Sequence, residues 1–234
     1  ISSYGPLALK WNHIPKMFNW FIHYLKNCNH KSMLHTAKYM HQILNLSNDA
    51  YEEIFQEIDT TGLVEKNGII YVWTNKSPKS RNLEIKVRND FGIEQKLLSQ
   101  KEVLELEPNL NPVFDAGVIY ENAMHARDPH GILKKIFKLF LEKGGKFIQT
   151  NIKSLEQVNI NETVIRSENE EYKFEKSVIA SGAFSKKLTD QLGENIPLDT
   201  ERGYHVHFKN KDNLIKRPVI FLDRGFGMTP MNQG

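Results

Sequence analysis

Val178-Ile-Ala-Ser-Gly-Ala-Phe-Ser185 is the stretch that decides the fold class of this chain. The apolar residues at its start indicate a buried strand, and the small residues after them indicate a tight turn into a helix from Phe184 to Leu192. Small residues let backbone N–H groups approach a ligand closely, and a helix that begins there offers its positive end to an anion. The same pattern also fits a tightly packed turn that binds nothing, so this stretch alone leaves both interpretations open.

A helix, a strand and an antiparallel meander are predicted upstream of that stretch. Asp128 is typical of a helix N-cap, Pro129 of the first helical turn, and Gly144-Gly145 of a helix end. A strand over 146–150 is predicted to follow, so that helix and strand together form half of a βαβ unit. Three runs of β-forming residues then predict a meander over 152–158, 163–167 and 172–174.

The first third of the chain is predicted to be helical. Its apolar residues recur every three or four positions and mark faces that we expect to pack in a core, among them Trp11, Phe18, Phe21, Leu25, Met33, Met40 and Leu44. Asn67-Gly68 lies between two β-forming runs and predicts a hairpin over 62–73. Ser99 and Glu102 form a capping box that predicts a helix up to Leu106. Other elements are predicted over 78–89 (helix) and over 95–98, 114–120, 200–208 and 217–221 (strands).

Composition excludes several classes of protein. The 234 residues are 40% hydrophobic and 25% charged, which is typical of globular proteins rather than of disordered or fibrous ones. The mean hydropathy is −0.48 and no run of about 18 apolar residues occurs, so no transmembrane helix is predicted. A single cysteine, Cys28, excludes an internal disulfide and a cysteine-based zinc cluster. The net charge of +3 comes from lysines dispersed among acids, which favours a solvated surface over a nucleic-acid-binding face.

Two stretches place an arginine beside glycines. Arg202 lies within Pro197-Leu-Asp-Thr-Glu-Arg-Gly-Tyr-His205, and Arg224 lies within Phe221-Leu-Asp-Arg-Gly-Phe-Gly227. An arginine fork can bind a carboxylate through two parallel hydrogen bonds, whereas a solvated charged pair contributes little, and both interpretations stay open. A third stretch brings His125, Arg127 and His130 close together, but it has no metal-binding histidine spacing, so no metal site is predicted.

Taken in order, these features resemble the glycine/D-amino-acid oxidase family of FAD-dependent oxidoreductases, and above all its D-amino-acid dehydrogenase branch. The stretch 178–185 is similar to the family pattern V-x-A-[AS]-G-A-[WF]-S, and Leu198-Asp-Thr-Glu-Arg-Gly-Tyr-His205 is similar to the branch's L-D-T-E-R-G-Y-H. Asp128-Pro129 and Gly144-Gly145 match the family helix before the FAD-contacting strand, and Met228-Thr-Pro-Met231 resembles the segment before the last flavin-binding stretch. The resemblance extends from about Gly117 onward, and more loosely over the helical first third.

The resemblance implies a mixed α/β (α+β) fold, with part of a Rossmann-like FAD/NAD(P)-binding domain and a substrate domain built on a mixed or antiparallel sheet. It divides the chain into a mainly helical substrate or cap domain over 1–125, the middle of the FAD-binding domain over 126–198, and a return into the substrate domain over 199–234. The family's N-terminal G-x-G-x-x-G fingerprint and its C-terminal glycine-rich segment are missing from the sequence. We therefore expect an internal fragment of a longer enzyme; a domain that evolved without flavin is the alternative.

The cofactor that the resemblance implies is FAD, and the implied reaction is oxidative deamination of a D-amino acid by hydride transfer from the substrate Cα to flavin N5. The residues implied to contact FAD are Ile152, Lys153, Ala180, Ser181 and Gly182. Arg224 is the first candidate for binding the substrate carboxylate and Arg202 the second. Tyr204, His205 and His125 are implied on the substrate side.

The same resemblance implies a quinone of the respiratory chain as electron acceptor and a place in the cytoplasm or on the cytoplasmic face of the bacterial inner membrane. The expected contact surface is amphipathic and comprises Trp11, Phe18, Trp20 and Phe21 beside Lys10, Lys16 and Lys26. The competing interpretation packs this helix on its own domain. Other functions left open are a glycine or sarcosine oxidase of the same family, a non-catalytic binding module and, last, a nucleic-acid binder.

Overall fold

A computed structural model describes residues 14–74, 77–198, 200, 202–209 and 214–232. The chain divides into two compact units, one formed by Ile1–Glu142 together with Phe208–Gly234 and the other by Lys143–His207. Each unit is described by itself below. The three-way division into substrate and FAD-binding segments stays a prediction.

Three helices open the first unit: α1 (Ile14–Asn27), α2 (His30–Leu44) and α3 (Ser47–Glu57). Asn29 caps α2 because its side chain accepts a hydrogen bond from the Ser32 backbone N–H. The helices confirm the predicted periodicity, but the expectation that their apolar residues form a core is wrong. Neither α2 nor α3 has a buried residue, and Phe18 is 60% exposed. Periodicity defines an apolar face but does not determine which element covers it.

A five-stranded mixed sheet forms the centre of the first unit. Its strands are β2 (Ile69–Trp73), β3 (Lys96–Ser99), β4 (Ala116–Tyr120), β9 (Val219–Phe221) and β10 (Phe226–Met228), in the order β10-β9-β2-β4-β3. Only the β2–β9 pair is parallel; the other three pairs within this sheet are antiparallel. Ile70, Val72 and Val219 are fully buried in the core on one face. The strands predicted over 95–98, 114–120 and 217–221 are thus confirmed.

Two helices pack beside this sheet, α4 (Pro78–Asp90) and α5 (Gln100–Leu106), and both were predicted. The capping box at the start of α5 is formed as expected, with Ser99 and Glu102 bonding each other's backbone N–H groups. Val103 of α5 is fully buried and belongs to the same core as the sheet. The sheet is therefore held by a buried core to which a helix contributes, and the sequence specifies the start of that helix locally.

The hairpin predicted over 62–73 is wrong. β1 (Val64–Glu65) pairs with β5 (His125–Ala126), whereas β2 pairs with β4 and β9. Gly68 has φ +82°, and its N–H donates to the Ala123 carbonyl, so Asn67-Gly68 carries the chain from one sheet to the other. Gly68 has the positive φ that the turn signal predicts, but the two-residue hairpin turn is not formed, and β1 pairs with residues about 60 positions away.

The helix predicted after Asp128 is α6 (Pro129–Glu142), and the Asp128 carboxylate accepts the Gly131 N–H at 2.9 Å. Beyond its end Gly144 has φ +87°, as expected for a helix terminator. In the part of the chain that the structure describes, no helix is long and apolar enough to cross a membrane.

The second unit contains the predicted antiparallel meander, with β6 (Ser154–Asn159), β7 (Glu162–Arg166) and β8 (Glu171–Phe174). A helical segment follows, made of a 3-10 turn (Gly182–Phe184), α7 (Ser185–Thr189) and a second 3-10 turn (Asp190–Leu192). The strands predicted over 146–150, at 177–181 and over the described part of 200–208 are not formed. Val178 is 91% exposed. A strand needs a hydrogen-bonded neighbour, and no described strand pairs with these residues.

Candidate functional site

The first candidate region lies where the parallel strands β2 and β9 end. Because carboxyl ends of parallel strands meet at one edge of a sheet, Thr74 after β2 lies next to the turn after β9. That turn is tight, since the N–H groups of Arg224 and Gly225 both donate to the Phe221 carbonyl and Gly225 has φ +70°. Arg224 is therefore presented on a short hairpin turn at this edge.

Hydrogen bonds orient the Arg224 side chain. Its Nε donates to Thr74 Oγ1 at 3.3 Å, and both the hydroxyl and the N–H of Thr74 donate to Asp223 Oδ2, at 2.6 and 2.9 Å. The Arg224 residue is exposed. A guanidinium held through Nε can still use its two terminal nitrogens to bind a carboxylate. Sequence reasoning missed Thr74, because a threonine after a strand carries no signal of its own.

His125 lies in a different place. It is 7% exposed in β5, and neither ring nitrogen has a hydrogen-bond partner among the described residues. Burial lowers the pKa of His125 below its ordinary 6.5; Glu65 opposes this and Arg127 adds to it. The imidazole is consequently neutral at neutral pH. It lines an apolar cavity of about 390 Å³ whose walls come mainly from α3, β5 and α6.

The structure does not bring His125 and Arg224 together. The Gly68–Ala123 hydrogen bond places the approach to β5 at the amino end of β2, whereas Arg224 contacts Thr74 at the carboxyl end. The five residues of β2 lie between, and at about 3.3 Å per residue they span ~17 Å. One small amino acid cannot reach both side chains, so His125 cannot line the substrate side of a site in which Arg224 binds the carboxylate.

Arg127 binds two neighbouring side chains, Glu65 and Asn232. Its Nη1 pairs with Glu65 Oε1 at 2.8 Å, and its Nε donates to Asn232 Oδ1 at 3.1 Å. Asn232 in turn donates its side-chain N–H to the Gly62 carbonyl, so the residues after β10 are bound to the start of β1. His130, the third residue of that sequence cluster, is exposed on the first turn of α6.

The remaining predicted site residues lie in the second unit. Arg202, Tyr204 and His205 are exposed outside any described strand, and Tyr204 is 87% exposed. Lys153 pairs with Glu168 at 2.6 Å, while its backbone N–H donates to the Arg166 carbonyl.

The residues at 177–182 fit a cofactor that is held by backbone groups. No described strand includes 177–181, and Ala180, Ser181 and Gly182 are exposed. Gly182 has φ +56°, a conformation that a side chain would strain, and Ser177 Oγ is buried without a described partner. The exposed backbone at 180–182 and the unsatisfied hydroxyl of Ser177 each fit the polar part of a dinucleotide.

Comparison with known proteins gives the family. The family model described as "FAD dependent oxidoreductase" matches residues 17–234, and the chain therefore belongs to the FAD-dependent oxidoreductase (DAO) family. FAD is the cofactor of this family. The predicted resemblance, the mixed α/β fold class and the cofactor are thereby confirmed.

Two curated relatives show how far the similarity extends. A "D-amino-acid oxidase" of Bradyrhizobium diazoefficiens is 27% identical over 98% of this chain and 55% of its own length. A "D-amino acid dehydrogenase" of Vibrio atlanticus is 23% identical over 98% of this chain and 54% of its own length. The chain spans about half the length of the curated relatives it matches.

Solved structures agree on the fold. Glycine oxidase from Bacillus cereus superposes with a TM-score of 0.59 at 22% identity, covering 88% of this chain and 55% of that one. L-α-glycerophosphate oxidase from Mycoplasma pneumoniae, described with FAD bound, gives a TM-score of 0.50 at 23% identity, covering 67% of this chain and 41% of that one. At these identities the match supports the fold alone.

Proposed function

We propose that the protein carrying this chain is an FAD-dependent amino-acid oxidoreductase that deaminates D-amino acids oxidatively. The observation that carries the proposal is the exposed Arg224 guanidinium, held through Nε by Thr74 where β2 and β9 end. The names of the curated relatives, D-amino-acid oxidase and D-amino acid dehydrogenase, support the choice of substrate class.

In this proposal the chain's own residues bind and orient the substrate. Arg224 binds the substrate carboxylate through its terminal nitrogens, and the Thr74–Asp223 hydrogen bonds hold the guanidinium in one orientation. When bound, FAD would accept at N5 the hydride removed from the substrate Cα, and the imine product hydrolyses in water. Arg202, Tyr204 and His205 stay proposed as further substrate residues, on the resemblance alone.

FAD itself would be held in part by the second unit. Ala180, Ser181 and Gly182 would contact it through backbone groups, and Ile152 and Lys153 would lie beside its adenosine end. Ala180, Ser181 and Gly182 are exposed, and no described strand includes Ala180 or Ser181, which supports this assignment. His125 we place outside the carboxylate site, because the length of β2 separates it from Arg224.

A visible spectrum of the full-length gene product tests the proposal. Anaerobic D-alanine should bleach the flavin absorbance, and slow recolouring in air would indicate a dehydrogenase rather than an oxidase. Bleaching by glycine or sarcosine but not by D-amino acids would replace the proposed substrate class. A colourless protein that cannot be reconstituted with FAD would leave a non-catalytic binding module.

Variants at the carboxylate site sharpen this test. Arg224→Lys keeps the charge but loses the planar fork, and we expect KM for a D-amino acid to rise about tenfold or more, the value of one lost charge-assisted hydrogen bond. Thr74→Val removes the hydroxyl that holds Nε and should raise KM by less, whereas Thr74→Ser keeps the hydroxyl and is the matched control. Unchanged KM in Arg224→Lys would remove Arg224 from the site.

We also propose that the electron acceptor is a membrane quinone and that the protein associates peripherally with the membrane. Phe18 and Trp20 of α1 are 60% and 52% exposed, and Lys26 lies in the last turn of the same helix. Exposed aromatic side chains on a helix that also carries a lysine support binding to an anionic bilayer. Trp11 and Lys10 lie outside the described residues. Co-sedimentation with anionic vesicles that Trp20→Ser weakens would support this; equal binding by both proteins would oppose it.

A further inference from the structure

The side chain of Gln191 is bonded to the backbone at the start of β6. Its Nε2 donates to the Lys153 carbonyl at 3.1 Å, and its Oε1 accepts the Leu155 N–H at 3.0 Å. One primary amide thus supplies the donor and the acceptor that a neighbouring strand would offer on either side of Ser154. On the opposite side the Lys153 N–H donates to the Arg166 carbonyl. The backbone over 153–155 is therefore held from both sides.

Gln191 lies at the end of the helical segment that begins directly after the glycine turn. It belongs to the 3-10 turn Asp190–Leu192, and the segment starts at Gly182. Two anchors keep the segment in place: Thr189 is 7% exposed, and the Ser181 N–H donates to Ser185 Oγ at 3.1 Å. The hydrogen bonds of Gln191 consequently join this helical segment to β6.

We propose that Gln191 is a positioning residue for FAD, which fixes the segment Ile152–Lys153 relative to the segment Ala180–Gly182. The inference rests on the proposed function, in which both segments contact the cofactor. They are about 30 residues apart in sequence and share no described strand pairing. Ordering a flexible backbone when a ligand binds costs free energy and so weakens binding. The two hydrogen bonds of Gln191 order this backbone before FAD binds, so Gln191 raises the affinity for FAD without contacting the cofactor.

A purely structural role predicts a different result. If Gln191 only stabilises the unit, its replacement lowers the unfolding temperature but leaves the FAD affinity of the folded protein unchanged. If Gln191 positions the two segments, its replacement lowers the affinity for FAD even at temperatures where every variant is fully folded. The two readouts therefore separate the alternatives.

The experiment is FAD titration of the full-length apoprotein, followed by flavin fluorescence, with Gln191→Met and Gln191→Glu. Methionine keeps the length and packing of the side chain but loses both hydrogen bonds, and we expect Kd to rise about tenfold. Glutamate keeps the acceptor for the Leu155 N–H but turns a second oxygen toward the Lys153 carbonyl, so its affinity should also fall. Gln157→Met is the matched control, because Gln157 is an exposed glutamine on the same strand.

Hydrogen exchange gives a second measurement that does not depend on activity. In the wild-type protein, the Leu155 amide should exchange slowly without FAD, and in Gln191→Met it should exchange faster. Equal Kd values for the wild type and both Gln191 variants, or a Gln157→Met loss as large as theirs, would overturn the inference. A wild-type protein that binds no FAD would instead overturn the proposed function on which it rests.

Discussion

Glu107 allows the most direct test of how the first unit is held together. Its carboxylate is 1% exposed and accepts three hydrogen bonds: from the Lys216 N–H at 2.8 Å, and from the N–H and Nε of Arg217, both at 3.1 Å. The Arg217 side chain is 16% exposed. Glu107 therefore holds the segment that enters β9, which leads to the turn carrying Arg224.

Glu107→Ala leaves two backbone N–H groups and a largely buried guanidinium without their acceptor. Removing one partner of a buried ion pair costs about 3–5 kcal/mol, because the other charge stays buried and unpaired. For a protein of this size, each kcal/mol lowers the unfolding temperature by about 2–4 °C, so the shift should be about 10 °C. Glu107→Gln keeps one acceptor oxygen and should be less destabilised, by about 2 kcal/mol.

The matched control is Glu105→Ala, in the last turn of the helix α5 that Glu107 follows directly. Glu105 is 61% exposed and lies 3.8 Å from Lys101, which is 86% exposed, so this pair should contribute no more than about 0.5 kcal/mol. The assay is urea unfolding of each variant at one fixed FAD concentration, because bound cofactor raises apparent stability. A Glu107→Ala loss below about 1 kcal/mol, or one equal to that of Glu105→Ala, would refute the reasoning.

Three further outcomes are expected from local contacts. Asp128→Ala removes the acceptor for the Gly131 N–H and should cost about 1 kcal/mol in urea unfolding, whereas Asp128→Asn should retain most of it. Burial lowers the pKa of His125 in the folded chain below 6.5, its ordinary value in the unfolded chain. As the pH decreases, the unfolded chain therefore takes up the proton first, and the free energy of unfolding falls. The stability difference between wild type and His125→Leu should therefore shift against the wild type from pH 7.5 to 5.5; a constant difference would contradict the burial. Burial also raises the pKa of Tyr120 to about 12 against the opposing effect of Arg88, and its hydroxyl has no described hydrogen-bond partner. Tyr120→Phe should consequently change the free energy of unfolding by less than about 1 kcal/mol at pH 7. A larger loss would show that the Tyr120 hydroxyl makes a hydrogen bond in the folded protein.

The sequence by itself determined the elements whose causes lie within a few residues. The Asp128 cap of α6, the Ser99–Glu102 capping box of α5 and the meander over 154–174 all formed as predicted. The two caps depend on hydrogen bonds between residues three apart, and the meander pairs residues no more than about 12 apart, so each cause is local in the sequence. The order of motifs along the chain also sufficed to predict the family.

The tertiary structure alone decided which distant residues meet. Gly68 has the positive φ that its sequence suggests, yet β1 pairs with β5, because long-range packing decides which strands pair. Val178 lies in a run of residues that is typical of a buried strand. It is nevertheless exposed, because no described strand pairs with it. Arg224 and His125 were predicted for one site, and the length of β2 separates them. Distance along a strand and the choice of its neighbour are properties of the folded chain that no local pattern encodes.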